Sequence, residues 1–267
     1  AKDFKFVCEF VYTHTGIVLS ENKREMVYRR LSRIVRERKF NSFTQYCQLL
    51  RKDPDSEMDY FINAITTNLT SFFREQHHFE FLAKKELPDL LNSKRDKKIR
   101  IWSSACSTGE EPYSIAITLL QSIKAKLATW DVKILATDID SNVLATARAG
   151  IYADKDNLMS AAAKKQFFSR GTGANNQRMK VNEEVKKLIT FKQLNLMHEW
   201  PMQGPFDVIF CRNVVIYFDK ETQQDLFTRF YQLLSPGGVL ILGHSENLGK
   251  CQTYFENIGR TIFRKPL

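Results

Sequence analysis

A strand, turn and helix signal near residue 100 constrains the fold of this chain more than any other feature. The apolar run 99–102 predicts a buried strand, and the small residues of 103–109 predict a turn whose backbone a ligand can approach closely. Residues 110–127 predict a helix with Glu110 and Glu111 in its first turn, where carboxylates complement the helix dipole. A pyrophosphate would prefer bare amides at this helix start. The two carboxylates therefore indicate a cationic ligand.

Three further apolar runs predict strands, at 132–138, 206–213 and 234–243. Helix patterns or turns lie beside them, and strands that alternate with helices build a mostly parallel sheet. Such sheets bind ligands beyond the carboxyl ends of their strands, so we expect the turn after the first strand to meet Asp138, Arg212 and Asn213. Asp138 ends its strand, the position from which a carboxylate binds the two hydroxyls of a ribose.

Four motifs follow one another along the chain, namely Thr66-Thr-Asn-Leu-Thr-Ser-Phe-Phe-Arg-Glu75, Ser107-Thr-Gly-Glu-Glu-Pro-Tyr-Ser114, Cys211-Arg-Asn-Val-Val-Ile-Tyr-Phe218 and Gly243-His-Ser-Glu246. With the strand-final Asp138, they resemble the chemotaxis receptor methyltransferases, the CheR family of class I S-adenosylmethionine methyltransferases. The resemblance covers nearly the whole chain. It implies an α/β fold, with a Rossmann-like class I methyltransferase sheet, an N-terminal helical domain and a small inserted antiparallel β-subdomain.

The resemblance also implies an activity: methyl transfer from S-adenosylmethionine to glutamate side chains of chemoreceptors, with S-adenosylhomocysteine as product. A glutamate with a reference pKa of about 4.3 is already ionised at neutral pH, so this displacement requires no general base. Groups that orient the carboxylate are required instead, because proximity and orientation contribute about 7 to 11 kcal/mol. Arg74 and Tyr217 are the two catalytic candidates, since a guanidinium and a phenol both donate hydrogen bonds to a carboxylate. A structural ion pair and core packing are their respective alternatives.

The resemblance maps the cofactor shell onto nine residues: Asn68, Thr70, Arg74, Glu111, Asp138, Asn195, Leu196, Arg212 and Asn213. Glu111 would meet the methionyl ammonium or another polar part of the cofactor, or would simply be a helix-start acid. Asn195 and Leu196 end a strand predicted over 188–196 and would border the adenine. The turn has a single glycine, Gly109, which departs from the general methyltransferase pattern and matches the CheR-like variant.

Residues 1–65 are expected to form a helical domain, with a break between helices at Asp53-Pro54-Asp55. Within it, residues 23–39 predict an amphipathic helix with a second, basic face. Three arginines form this face and are the candidate substrate-binding residues: Arg29, Arg33 and Arg36. The net charge of +10 indicates either an acidic partner or a generally basic surface. The partner would be nucleic acid or an acidic protein surface, and the resemblance implies the cytoplasmic helices of a chemoreceptor.

Residues 66–267 are expected to hold a linker and the catalytic domain, with an insertion over about 158–190 that contains a small antiparallel sheet. Glycine and asparagine in 170–178 indicate a hairpin turn there. The insertion is either a decorative loop or, as the resemblance suggests, a site where the receptor's C-terminal tail peptide adds a strand.

Several function classes are disfavoured. The five scattered cysteines lack metal-ligand spacing, and His77 and His78 are expected to point to different sides of a helix, so we predict no metal. No membrane span or signal peptide is recognisable, so we expect a soluble, cytoplasmic protein. We also expect it to act as a monomer. Two alternatives remain open: a nucleic-acid (RNA) methyltransferase that uses the basic surface, and a noncatalytic scaffold.

Overall fold

The computed structural model describes residues 2–154 and 159–267. The chain begins with four helices: α1 (Lys2–Thr15), α2 (Arg24–Glu37), α3 (Phe43–Lys52) and α4 (Pro54–Ile65). They pack around one apolar cluster that includes Val7, Leu31, Tyr46 and Phe61. The predicted break is confirmed, because Asp53 caps α4 by accepting the Ser56 N–H at 3.4 Å.

Helix α2 confirms the predicted amphipathic pattern. Val27, Leu31 and Ile34 are buried in the helical cluster. Arg29, Arg33 and Arg36 are exposed on the other side. The basic side chains therefore lie on a solvent-facing surface, although Arg33 also pairs with Glu37.

After a connection over residues 66–76 that includes turns come α5 (His77–Phe81), a π-helical turn (Leu82–Glu86) and α6 (Leu87–Ser93). The strands that follow are β1 (Lys98–Ser103), β2 (Asp131–Asp138), β3 (Ile151–Ala153), β4 (Phe168–Arg170), β5 (Arg178–Val181), β6 (Ile189–Gln193), β7 (Phe206–Cys211), β8 (Leu234–Leu242), β9 (Glu256–Gly259) and β10 (Ile262–Arg264). The helices between them are α7 (Glu110–Ile123), α8 (Ser141–Ala149), α9 (Ala161–Phe167), α10 (Glu183–Lys186) and α11 (Lys220–Leu233).

Seven strands form the main sheet in the order β6-β2-β1-β7-β8-β10-β9. The first five are parallel, and β10 is antiparallel to both of its neighbours. This arrangement confirms the predicted mostly parallel sheet. Buried side chains pack against both faces in two clusters, one around Ile101 and one around Trp102. Successive residues of β1 therefore point into opposite layers, as a strand buried on both faces requires.

Four predicted elements are shorter than expected, two of them by only one or two residues: β7 ends at Cys211 and β8 at Leu242, against predicted ends at 213 and 243. The helix predicted over 110–127 ends at Ile123, where the backbone leaves the α region with φ −134° and a 3-10 turn follows. The strand predicted over 188–196 ends at Gln193, opposite the last residue of β2, Asp138. Because β2 stops there, β6 has no neighbour along which to continue. Asn195 and Leu196 consequently lie in the connection beyond the strand.

The small sheet has the order β3-β5-β4 and is antiparallel, as predicted. Its β4 and β5 flank the predicted hairpin turn. The limits differ from the expected 158–190, since β3 precedes this segment and residues 189–190 already belong to the main sheet. Strand β5 pairs with β4 on one side and, on the other, with β3, which follows α8 in the chain. Residue 158, the expected start, lies outside the described residues.

Candidate active site

The turn after β1 brings the chain close to its neighbours, as its small residues predict. Gly109 has φ 99°, and a Cβ there would lie 2.8 Å from the Ala147 Cβ, so only glycine fits without strain. Ser107 donates its backbone N–H to Asp138 Oδ2 at 2.8 Å. The turn is thereby tied to the end of β2, and the two segments share one edge of the sheet.

A cavity of about 360 Å³ lies at this edge, between the carboxyl ends of the parallel strands and the segments that enter and leave the helical region. Its size is within the range typical of small-molecule sites. All nine residues predicted for the cofactor shell line it: Asn68, Thr70, Arg74, Glu111, Asp138, Asn195, Leu196, Arg212 and Asn213. Tyr217 also lines it. The expected convergence of the turn with Asp138, Arg212 and Asn213 is therefore confirmed, while their individual roles stay predictions.

The basic face of α2 is separate from this cavity. Arg29, Arg33 and Arg36 are not among the lining residues, although Lys23 and Met26 at the start of α2 are. Arg30 donates to the backbone carbonyls of Ile65 and Thr66, at 2.5 and 2.9 Å. This contact fixes α2 against the segment that leads into the cavity.

Arg212 organises the carboxylates beside the cavity. Its Nη1 lies 3.0 Å from Glu111 Oε2, and its Nη2 lies 3.4 Å from Glu75 Oε2. The same guanidinium donates to the backbone carbonyl of Arg74. Ser103 donates to the other Glu111 oxygen at 2.7 Å. Glu111 therefore shares one guanidinium with a second carboxylate, and that second carboxylate, Glu75, was not identified from the sequence.

Burial shifts the pKa values in this network. It raises the pKa of Glu111, an effect that Arg212 and Ser103 only partly offset. Burial also acts to raise the pKa of Glu75, but the Arg212 guanidinium and the His244 N–H outweigh it and the pKa is lowered. The pKa of His78 falls to about 3 because it is buried beside Arg212, so this imidazole is neutral at physiological pH.

One part of the cationic-ligand argument is wrong. Of the two helix-start carboxylates, only Glu111 lines the cavity. Glu110 Oε2 instead accepts a hydrogen bond from the Thr108 hydroxyl at 2.6 Å. Consecutive residues of a helix point in directions about 100° apart, so one helix start presents only one of these acids to the site.

Asp138 lies at the end of β2 and is almost fully buried. Its Oδ1 accepts the Asp140 N–H at 3.0 Å and its Oδ2 accepts the Ser107 N–H. Burial raises its pKa to about 6, against the effect of these backbone donors. A carboxylate has about four acceptor positions, so both oxygens retain capacity for hydroxyl donors.

Asp140 is a second acid that sequence analysis missed at this edge. Its Oδ1 caps α8 by accepting the Asn142 N–H at 2.9 Å. Its Oδ2 accepts from the Thr66 hydroxyl at 2.6 Å and from Asn68 Nδ2 at 2.8 Å. An aspartate before a helix pattern is a recognisable cap signal, but its link to residues 66–68 depends on the tertiary structure.

The two catalytic candidates, Arg74 and Tyr217, both line the cavity but are far apart in the sequence. Arg74 donates to the Leu69 carbonyl at 2.9 Å, and no carboxylate of the described residues lies within 4.0 Å of it. The expected alternative of a structural ion pair is therefore not seen in residues 2–154 and 159–267. Tyr217 is half-buried in a 3-10 turn (Val215–Tyr217), and its hydroxyl has no hydrogen-bond partner in that same part of the chain.

The N-terminal segment is attached directly beside these groups. The Val18 N–H donates to the Tyr217 carbonyl at 2.8 Å. Asn195 Nδ2 donates to the His14 carbonyl at 2.6 Å, and Asn195 Oδ1 accepts the Met197 N–H at 2.9 Å. Asn195 thus joins α1 to the main sheet in addition to lining the cavity.

The expectation for the histidine pair is also wrong. The ring centroids of His77 and His78 lie 4.0 Å apart at the start of α5, so the two rings contact each other. His78 lies 3.0 Å from the Thr261 hydroxyl. In the described residues, no group of three or more His, Cys, Asp or Glu side chains has the geometry to hold a metal ion. That the protein uses no metal stays a prediction.

The mostly parallel sheet, the small-residue turn after β1 and the acid at the end of β2 define a domain that binds a nucleoside-containing cofactor. Two sequence families match the chain, "CheR methyltransferase, all-alpha domain" over residues 2–66 and "CheR methyltransferase, SAM binding domain" over residues 68–264. The chain therefore belongs to the CheR methyltransferase family, and S-adenosylmethionine is its cofactor.

Relatives match over nearly the full length. The chain is 47% identical to the chemotaxis protein methyltransferase 2 of Pseudomonas aeruginosa over 98% of this chain and 92% of that protein. It is 47% identical to a probable chemotaxis protein methyltransferase of Rhizobium etli, covering 95% and 96% of the two chains. Identity to the Salmonella typhimurium chemotaxis protein methyltransferase is 43%, over 97% and 88%. These comparisons do not support the nucleic-acid alternative. No helix of the described residues has the length and apolar character needed to cross a membrane.

Proposed function

We propose that this protein transfers methyl groups to glutamate side chains on the cytoplasmic helices of chemoreceptors, giving methyl esters. The observation that carries the proposal is a cofactor-sized cavity where Arg74 and Tyr217 present donors that the described residues leave available. When bound, S-adenosylmethionine supplies an electrophilic methyl group on a sulfonium sulfur. An acceptor that is already anionic suits such a site, because the described lining offers donors to orient a carboxylate.

The lining fits the amino-acid end of the cofactor. It carries acids, Glu111 and Asp138, together with cations that include Arg74 and Arg212. A zwitterionic ligand group requires both signs of charge. Asp138, with acceptor capacity at the end of β2, would hold the ribose hydroxyls. The small side chains of Ser104 and Ala105 would allow the cofactor to lie against the backbone.

The positioning roles follow from donor chemistry. The Arg74 guanidinium would pair with the incoming carboxylate, and the Tyr217 hydroxyl would donate one hydrogen bond to it. These contacts hold the acceptor carboxylate in line with the methyl group and exclude water. An uncatalysed displacement is slow largely because its reactants are not held in this geometry. Too strong a pairing with Arg74 would stabilise the ground-state carboxylate and slow attack, so orientation is the more useful contribution.

The exposed basic face of α2, formed by Arg29, Arg33 and Arg36, would dock the acidic receptor helices. Charge complementarity of this kind raises association rates and fixes register. The strand β4 lies at one edge of the small sheet, and among residues 2–154 and 159–267 its one ladder partner is β5. The receptor's C-terminal tail peptide would add a strand there. We propose further that the protein acts as a monomer.

The test uses tritiated methyl-S-adenosylmethionine and membranes containing a chemoreceptor. We expect label to enter the receptor and to be released as volatile methanol by mild base, the signature of a methyl ester. A receptor whose candidate glutamates are replaced by alanine serves as the control and should stay unlabelled. Label in co-purified RNA, or equal labelling of the alanine receptor, would contradict the proposal. Deletion of the receptor tail tests the small-sheet contact separately.

A further inference from the structure

The motif Gly243-His-Ser-Glu246 has no role in the chemistry described so far, yet its carboxylate is buried beside the cavity. The Glu246 side chain belongs to a residue that is 5% exposed. Its Oε2 accepts the N–H groups of Gly243 at 2.7 Å and Asn213 at 2.8 Å. Its Oε1 accepts the Ile216 N–H at 3.4 Å. Both oxygens are therefore engaged by backbone donors of the turn that follows β7.

This turn carries lining residues in an uncommon conformation. Asn213 has φ 57°, in the left-handed region that glycine and asparagine adopt most readily. The 3-10 turn Val215–Tyr217 comes directly afterwards and ends at the catalytic candidate Tyr217. An ionised carboxylate accepts on both oxygens, whereas a glutamine amide would place an NH₂ group against one of these N–H donors. The charge and shape of Glu246 are therefore both needed to stabilise the turn.

Gly243 permits this contact. A Cβ at Gly243 would lie 2.5 Å from Asn213 Nδ2 and 2.8 Å from both the Asn213 nitrogen and Glu246 Oε2. The end of β8 consequently lies directly against the backbone of the turn after β7. Two motifs that are separate in the sequence form one structural unit at the cavity.

We propose that Glu246 is a positioning residue for methyl transfer, an inference that rests on the proposed function. It holds the turn 213–217 so that the Tyr217 hydroxyl faces the acceptor carboxylate. Arg212 is held independently, by Glu111 and by the carbonyl of Arg74. Asn213, the other predicted cofactor-shell residue of this turn, loses a backbone contact without Glu246 but keeps its Nδ2 donation to Glu75 Oε1 at 3.4 Å. Loss of Glu246 is therefore expected to affect acceptor orientation more than cofactor binding.

The variant Glu246→Gln tests this. We expect kcat for receptor methylation to fall by about 10- to 100-fold, the range for a small misplacement of a positioning group, with the S-adenosylmethionine Kd changed by less than about threefold. The matched control is Glu86→Gln, since Glu86 is also buried, at 1% exposure, but pairs with Arg264 at 2.7 Å away from the cavity lining. This control should retain kcat.

A double-mutant cycle tests whether Glu246 acts through Tyr217. In a Tyr217→Phe background, Glu246→Gln should cause a much smaller further loss than in the wild type. Equal fold losses in both backgrounds, or a wild-type kcat in Glu246→Gln, would overturn the proposal. If Glu246→Gln fails to fold, Gly243→Ala disturbs the same contact through its added Cβ and should give the same split between kcat and Kd.

Hydrogen exchange provides a readout that needs no receptor. Peptides covering 213–217 should exchange faster in Glu246→Gln than in the wild type or in Glu86→Gln, because the Asn213 and Ile216 amides both bond to Glu246 and one of them loses its acceptor. Unchanged exchange would overturn the inference even if the protein methylates receptors. Absence of receptor methylation by the wild-type protein would instead refute the proposed function, so the two failures are distinguishable.

Discussion

The replacement of Asp138 by asparagine is expected to weaken cofactor binding in a pH-dependent manner. In the wild type, the carboxylate has backbone donors on each oxygen and retains acceptor capacity toward the cavity. Hydrogen bonds to a charged group contribute about 1.5 to 3 kcal/mol, which corresponds to roughly a 10- to 100-fold increase in Kd on substitution at neutral pH. Asparagine also turns an NH₂ group toward one of the two backbone donors.

The pKa of Asp138, about 6, sets the pH window. Ribose hydroxyls donate to the ionised form, so affinity should rise with pH up to about 6 and level off above it. At about pH 5 only roughly a tenth of the carboxyl groups are ionised, so wild-type Kd should be up to about tenfold larger than at neutral pH. The difference between wild type and Asp138→Asn should therefore shrink as the pH falls.

The raised pKa of Asp138 also makes the free energy of unfolding depend on pH. The folded state binds the Asp138 proton more tightly than the unfolded state, so between about pH 4 and pH 6 this group lowers the free energy of unfolding as pH rises. Above about pH 6 Asp138 is ionised in both states, and the free energy of unfolding is lowered by the full amount. The Asp138→Asn variant should lack this contribution.

Isothermal titration with S-adenosylmethionine between about pH 5 and pH 8 measures the effect on binding, and urea unfolding over the same range measures stability. The matched control is Asp207→Asn, because Asp207 is also buried but accepts from Lys94 and the Arg100 N–H, away from the cavity lining. Its cofactor affinity should equal that of the wild type. An Asp138→Asn affinity equal to the wild type, or a loss that stays constant down to about pH 5, would refute the ribose assignment.

Three further predictions concern the other parts of the molecule. Tyr217→Phe should lower kcat about 10- to 100-fold in steady-state assays while the cofactor Kd in titrations changes little, and equal losses in both would contradict an acceptor-orienting role. Gly109→Ala should lower the free energy of unfolding by more than about 1 kcal/mol in urea titrations, whereas Gly173→Ala, at φ 57° with open space around it, should lose less; equal losses would contradict the steric argument. Charge reversal on α2 should raise the receptor KM and weaken its salt dependence without altering cofactor Kd, and wild-type receptor kinetics would exclude that surface; the residues are Arg29, Arg33 and Arg36.

The sheet and the location of the site were predictable because each rests on local sequence. Apolar runs identify the parallel strands, and strand ends identify Asp138 and Arg212 as neighbours of the turn after β1. The side-chain networks were not predictable. Arg212 and Glu111 are 101 residues apart, and Asn213 and Glu246 are 33 apart, so their contacts exist only once the sheet has formed.

Local sequence also could not predict which of two neighbouring residues of the same type lines the cavity. Glu110 and Glu111 have the same chemistry in the sequence, and only the rotation of α7 decides that Glu111 lines the cavity. The strand β3 is three residues long, and its pairing with β5 determines that it is a strand. Such short segments carry too little periodicity for prediction.

The charge network leads to a final prediction about ligand preference. Two carboxylates at the helix start indicated selection for a positively charged sulfonium, but Glu110 lies outside the lining and Glu111 is paired with Arg212 at 3.0 Å. The proposed role of Asp138 is to bind the ribose, which S-adenosylmethionine and S-adenosylhomocysteine share. We therefore expect the two ligands to bind with Kd values within about tenfold, or about 1.4 kcal/mol.

Competition titrations of the two ligands measure this difference directly. If the Arg212 pairing is what neutralises Glu111, Arg212→Gln should shift the preference toward the cationic S-adenosylmethionine, since an uncompensated carboxylate then lies at the cavity. Burial already raises the pKa of Glu111, and removal of Arg212 would raise it further, so the shift should appear only at higher pH, where Glu111 is ionised. A wild-type preference for S-adenosylmethionine above about 100-fold would show that a carboxylate acts on the sulfonium after all.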